Sequence, residues 1–119
     1  MDVRSLAAAE AFTTADGSTI RELCGLPTGG TVKQSLAEAT LEPGQSTQRH
    51  YHRESEEIYF VLAGEGELEV AGERSRVGAG DAVPIPPGAW HRIGNTGSAP
   101  LRFLCCCAPP YRDDDTCFE

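Results

Sequence analysis

His50-Tyr51-His52-Arg53-Glu54-Ser55-Glu56-Glu57-Ile58-Tyr59-Phe60-Val61-Leu62-Ala63-Gly64 is the stretch on which the reading of the chain turns. Its second half, Glu57 to Ala63, has the β-branched and aromatic content of a buried strand. Gly64 and Gly66 punctuate it before Glu67 to Val70 resumes, which predicts a hairpin. Its first half sets two imidazoles two residues apart. Side chains of a strand point alternately to opposite faces, so His50 and His52 share one face with Gln48, and Glu57, Tyr59 and Val61 share another.

Similar short extended runs lie on both sides. Upstream are Ser18 to Cys24, Thr31 to Leu41 and Thr47 to His52, broken by Leu26-Pro27-Thr28-Gly29-Gly30 and by Pro43-Gly44. Downstream are Arg74 to Val77, Ala82 to Ile85, Trp90 to Ile93 and the apolar run Leu101 to Cys107. Eight or more short strands with turn signals between them and no helical periodicity predict an all-β antiparallel barrel or jelly roll. Residues 1–16 read as a short irregular N-terminal arm, 17–112 as a single barrel and 113–119, with Asp113-Asp114-Asp115, as a solvated C-terminal tail.

Composition narrows the function classes. A chain of 119 residues suits one core. The formal net charge of −8, with Lys33 the only lysine and no basic cluster, is the opposite of what a nucleic-acid partner asks for. No stretch approaches the ~20 apolar residues of a spanning helix, and the first residues lack the pattern of a secretory signal. Five cysteines, an odd number without C-x-x-C spacing, argue against a disulfide framework and for a reducing, cytoplasmic setting. Alternation puts Cys105 and Cys107 on one face with Phe103, and Cys106 on the other, as small hydrophobes.

The third and last histidine, His91, follows the rigid Pro86-Pro87-Gly88 turn, and Glu54, Glu56 and Glu57 form an acidic cluster after His52. Imidazoles with one carboxylate suit Fe, Mn, Zn, Ni or Cu as divalent ions, which accept nitrogen and oxygen donors together. Taken singly, an H-x-H pair is equally a pair of half-exposed strand residues, and an acidic cluster is a hydrated turn.

The spacing resembles the two sequence motifs of the cupin family. The first, G-x5-H-x-H-x3–4-E-x6-G, is matched at Gly44, His50, His52, Glu57 and Gly64; the second, G-x5-P-x-G-x2-H-x3-N, at Gly80, Pro86, Gly88, His91 and Asn95. The segments Ser35 to Ala39, Glu56 to Tyr59 and Cys105 to Tyr111 are further similar to small cupins labelled mannose-6-phosphate isomerase-like, although no Lys or Arg cluster is present to anchor a sugar phosphate.

The resemblance implies a double-stranded β-helix holding one divalent transition metal per chain through His50, His52, Glu57 and His91. Glu56 competes for the carboxylate role, but only from Glu57 does the interval reach a glycine. Tyr59 and Glu57 are the candidate proton-transfer groups, Gln48, Tyr59 and Val61 the candidate substrate contacts, and Trp90, facing away from His91, a packing residue. Gly64 and Gly88 are expected to allow tight turns, and Asn95 to tie one through its amide. The implied function is a metal-dependent enzyme acting on a small organic molecule, of isomerase, epimerase, lyase or Fe(II) dioxygenase type. The alternative is a non-catalytic module that binds or senses a small molecule or metal. The implied assembly is a homodimer.

Overall fold

Strand alternation organises the chain into two antiparallel sheets whose inward faces share one core. A computed structural model describes residues 1–119 throughout. The strands are β1 (Phe12–Thr13), β2 (Thr19–Cys24), β3 (Ser35–Leu41), β4 (His50–His52), β5 (Glu56–Ala63), β6 (Glu65–Val70), β7 (Glu73–Gly78), β8 (Ala82–Ile85), β9 (His91–Asn95), β10 (Leu101–Ala108) and β11 (Thr116–Phe118). Six form one sheet in the order β1-β2-β3-β10-β5-β8, and five form the other in the order β11-β4-β9-β6-β7. This is the double-stranded β-helix, the all-β class the sequence predicts.

In β5, Glu57, Tyr59 and Val61 are buried while Glu56, Ile58 and Phe60 are exposed, and β9 alternates likewise, with His91, Ile93 and Asn95 buried. Leu41, Val61, Ile85, Ile93, Leu101 and Phe103 meet in the core with almost no exposure. Burying each contributes about 1.5–3 kcal/mol before chain entropy is counted.

The expected hairpin between β5 and β6 does not form. β5 pairs with β10 and β8 in the six-stranded sheet, whereas β6 pairs with β7 and β9 in the other, so Gly64 marks a corner where the chain changes sheet. Gly64 has φ +88°, and a Cβ there would lie 2.6 Å from the Pro100 carbonyl oxygen. Glycine signals a sharp turn but not which strands flank it as partners, and that ambiguity misled the sequence reading. A two-residue hairpin occurs one strand later, where Val70 pairs with Glu73 across Ala71 (φ 50°) and Gly72 (φ 84°). Positive φ at both central residues matches the twist of the flanking strands.

Both chain ends are built into the sheets. The Arg4 guanidinium donates to the carbonyls of Leu23, Thr28 and Gly29 at 2.8–3.0 Å, and β1 pairs with β2. Residues 113–119, expected to be a solvated tail, instead form a short 3-10 turn and then β11, which pairs with β4. Asp115 is buried and accepts from the backbone N–H groups of Glu54 (2.9 Å) and Ser55 (3.1 Å). Burial alone would raise its pKa; these donors outweigh it and hold the carboxyl below the usual range. No helix is long and apolar enough to cross a membrane.

Candidate metal centre

Pairing of β4 with β9 sets His50 directly opposite His91, and the two-residue alternation of β4 brings His52 to the same side. The ring centroids of His50 and His91 are 4.2 Å apart, with His52 at 5.2 and 5.4 Å from them. All three rings are buried, and one ligating atom from each lies within 4.8 Å of the others. Glu57, at the start of β5 in the opposite sheet, points at them: its Oε1 is 3.3 Å from His52 Nε2 and 3.4 Å from His91 Nε2. Four residues drawn from three strands therefore converge. Glu56 is exposed on the outer face and does not join them.

The outward nitrogens fix the tautomers. His50 Nδ1–H donates to the Gln48 carbonyl at 2.7 Å and His91 Nδ1–H to the Ala89 carbonyl at 2.9 Å. Thr116 uses its hydroxyl proton on the Arg112 carbonyl at 3.0 Å, so its oxygen accepts from His52 Nδ1–H, also at 3.0 Å. Each Nε2 is left with its lone pair facing inward, the arrangement that ligating imidazoles adopt. His91 Nε2 and Glu57 Oε1 are fully buried and have no hydrogen-bond partner.

Buried polar atoms left this way are costly, and a cation between them removes the cost. Donors each about 2.1 Å from a common ion lie roughly 3 Å apart when adjacent, close to the 3.3 and 3.4 Å that separate Glu57 Oε1 from His52 Nε2 and His91 Nε2. The residues thus fit a divalent transition ion.

Burial pushes Glu57 up, whereas hydrogen bonds and positive charge from the His52 and His91 side bring its pKa to about 2; with the lone pairs of both Nε2 atoms facing inward, that positive charge falls to a cation between them. Burial, followed by the nearby His91, lowers the pKa of His50 and favours its neutral, ligating form. The Cys107 thiol donates to Glu57 Oε2 at 3.0 Å, and burial raises its pKa, so it stays protonated and fixes the carboxylate. Tyr59, one step inward along β5, is fully buried with its pKa well above the usual phenol value, so its hydroxyl also stays protonated.

Not every candidate reaches the cavity. Tyr59 lines it with His50, His52 and Glu57, whereas Val61 lies deeper in the core cluster. The Gln48 side chain is exposed and its amide approaches the Glu119 carbonyl at 3.4 Å; its backbone carbonyl is what touches His50. Trp90 packs against Tyr51 and under the Arg49 guanidinium. Asn95 donates to the carbonyls of Leu41 and Ala99 and accepts from Gly97 N–H, tying its turn as expected.

Cys107 and Thr116 escaped the sequence reading as partners of the site. Both lie beyond the second motif, and only the register, Cys107 opposite Glu57 and Thr116 opposite His52, brings them in. Strand alternation placed Cys107 on one face with Cys105 and Phe103, but alternation carries no information about cross-strand partners. Thr116→Val, nearly isosteric, is expected to weaken metal binding by about 10- to 100-fold while leaving far-ultraviolet circular dichroism unchanged. A metal-buffer titration reads this, and equal affinities would show that Thr116 does not orient His52.

Barrel and cluster first define a class: a double-stranded β-helix with nitrogen donors and one carboxylate gathered at one end of its interior. The chain belongs to the cupin family, whose Cupin domain matches residues 37–107. An uncharacterized protein of Methanocaldococcus jannaschii is 47% identical over 105 residues, covering 88% of this chain and 84% of its own. An oxalate-binding protein of Thermotoga maritima is 40% identical over 69 residues, 58% of this chain and 57% of that one. The crystal structure of a predicted oxalate decarboxylase from Thermotoga maritima superposes with a TM-score of 0.79 at 27% identity, covering 91% of this chain and 99% of that one. These relatives do not single out the mannose-6-phosphate isomerase-like subgroup.

Proposed function

We propose that the protein is a metal-dependent enzyme acting on a small organic molecule, with one divalent transition ion held by His50, His52, His91 and Glu57. The observation that carries this reading is the pair of orphaned buried atoms, His91 Nε2 and Glu57 Oε1, facing one another among three Nδ1-anchored histidines. When bound, the ion supplies Lewis acidity toward a substrate oxygen, or a site for dioxygen if it is iron. The chain's own residues do the rest. Tyr59, held protonated, offers a hydrogen bond or a proton to a molecule in the cavity. Glu57 would hold the cation, and Cys107, donating to its Oε2, prevents it from turning away.

Metal analysis of protein purified without an affinity tag tests the proposal. About one transition ion per chain is the expected result; protein that stays metal-free when offered iron, manganese, zinc, nickel and copper overturns it. Stoichiometric iron with oxygen uptake selects the dioxygenase branch, and zinc or manganese without it selects isomerase or lyase chemistry. A second reading, a non-catalytic binding module, is favoured by the likeness to the oxalate-binding protein. Equal affinity for a small ligand with and without metal would establish it.

We propose further that two copies pair through the outer face of the six-stranded sheet, where Ile58 and Phe60 are 43% and 38% exposed. Light scattering is expected to give twice 12.7 kDa, falling to one chain in the Ile58→Asp, Phe60→Asp double variant. A monomeric parent removes this assembly. The five free cysteines support a cytoplasmic location.

A further inference from the structure

The cavity that opens from His50, His52 and Glu57 has a volume of about 740 Å³, within the range that holds molecules of two or three rings. Its walls are mainly carbon. Ile20 of β2, Ala37 and Ala39 of β3, Phe103 of β10, Phe118 of β11 and Phe12 of β1 all line it. The two alanines matter most. Cross-strand pairing sets Ala39 beside Phe103 and Ala37 beside Cys105, so small side chains on the inner face of β3 leave open the space that Leu or Val would fill.

Outside the proposed ion site formed by His50, His52 and Glu57, the charged side chains around this space are mostly acidic: Asp16, Glu22, Asp113 and Asp114 stand against a single arginine, Arg112. Arg112 is already committed: its Nε and Nη2 reach both carboxylate oxygens of Asp114 at 2.9 and 2.5 Å. Away from His50 and His52 no lysine or unpaired arginine lines the cavity to meet an anion, and the formal net charge of −8 repels one at longer range. A small dianion would leave most of the apolar wall uncovered and would face carboxylates at the mouth.

We infer that the cavity takes an uncharged, predominantly apolar molecule of two or three rings, and that it discriminates against small dianions and phosphate esters. The inference rests on the proposed ion site only for direction, since an oxygen on the ligand would point inward to that site; the ligand's class follows from the walls alone.

A matched pair of fluorescent probes tests it: N-phenyl-1-naphthylamine, which is neutral, and 8-anilinonaphthalene-1-sulfonate, the same skeleton bearing a negative charge. The neutral probe is expected to bind at least about tenfold tighter, a difference of about 1.4 kcal/mol, in chelator-stripped protein, where the walls alone decide. Ala37→Phe, which fills the space, and Ala39→Asp, which charges it, are each expected to weaken the neutral probe by about tenfold or more. Arg76→Ser, exposed on β7 and remote from the cavity lining, is expected to leave its affinity unchanged. Ala37→Phe adds no buried charge and keeps the test decisive should Ala39→Asp fail to fold. Equal affinity for the two probes, no binding of either, or loss of binding in Arg76→Ser overturns the inference. If the protein takes up no metal yet shows the probe preference, the inference stands and the enzyme reading falls. If metal is stoichiometric and the preference is absent, the inference alone falls.

Discussion

His91→Ala is expected to lower the transition metal retained after dialysis from about one ion per chain to less than about a tenth, a larger loss than the roughly 10- to 100-fold weakening that follows removal of an outer hydrogen bond. His91 is fully buried, its Nδ1 is tied to the Ala89 carbonyl, and its Nε2 faces Glu57 Oε1 without a partner. Alanine removes a donor atom and takes from the buried Glu57 carboxylate one of the two rings that hold its pKa down. Metal content by mass spectrometry, alongside a thermal melt with and without chelator, reads both effects. The chelator is expected to lower the melting temperature of the parent and not of the variant, because an ion that binds only the folded state stabilises it. Full metal retention by the variant would show that the imidazoles converge for a different reason.

Gly64→Ala is expected to destabilise the fold by about 2–5 kcal/mol, combining roughly 1–2 kcal/mol for an L-residue at a left-handed backbone with about 1–3 kcal/mol for overlap. The overlap is with backbone: the added Cβ would meet Pro100 O at 2.6 Å and Leu101 Cα at 2.9 Å, neither of which can swing aside like a side chain. Since a domain of this size has only about 5–15 kcal/mol in total, the variant is expected to unfold at markedly lower urea concentration. Gly72→Ala, whose Cβ would meet nothing within 4 Å, carries only the backbone share and serves as the comparison. Similar urea midpoints for the two variants would show that the corner at Gly64 has room to relax.

Much of this architecture is legible in the sequence because period-two alternation and glycine or proline punctuation are local signals. Ala82 to Ile85 is read at its observed bounds, and Glu57 to Ala63 differs from β5 by one residue. The gathering of His50, His52, His91 and Glu57 is legible for a different reason: the spacings at Gly44, Gly64, Gly80 and Gly88 match the cupin motifs, and that resemblance implies the set. What escapes is non-local. Nothing in Glu65 to Val70 says that its partners are β7 and β9 rather than β5. Thr116 and Phe118 sit in a segment dominated by three aspartates, whose charge masks a three-residue strand held by pairing with β4. Gln48 shows the limit of alternation, since the backbone before His50 is not yet strand and its side chain turns outward.

The order β3-β10-β5 places a late strand between two early ones, with Phe103 opposite both Ala39 and Val61. Partners so distant along the chain must close long loops before any of them gains from the contact, so refolding is expected on the millisecond-to-second scale of β-rich domains and not in microseconds. Neither half of the polypeptide, cut at the Ala71-Gly72 turn, retains a complete six-stranded sheet; joining the separated fragments should restore both structure and ion affinity together.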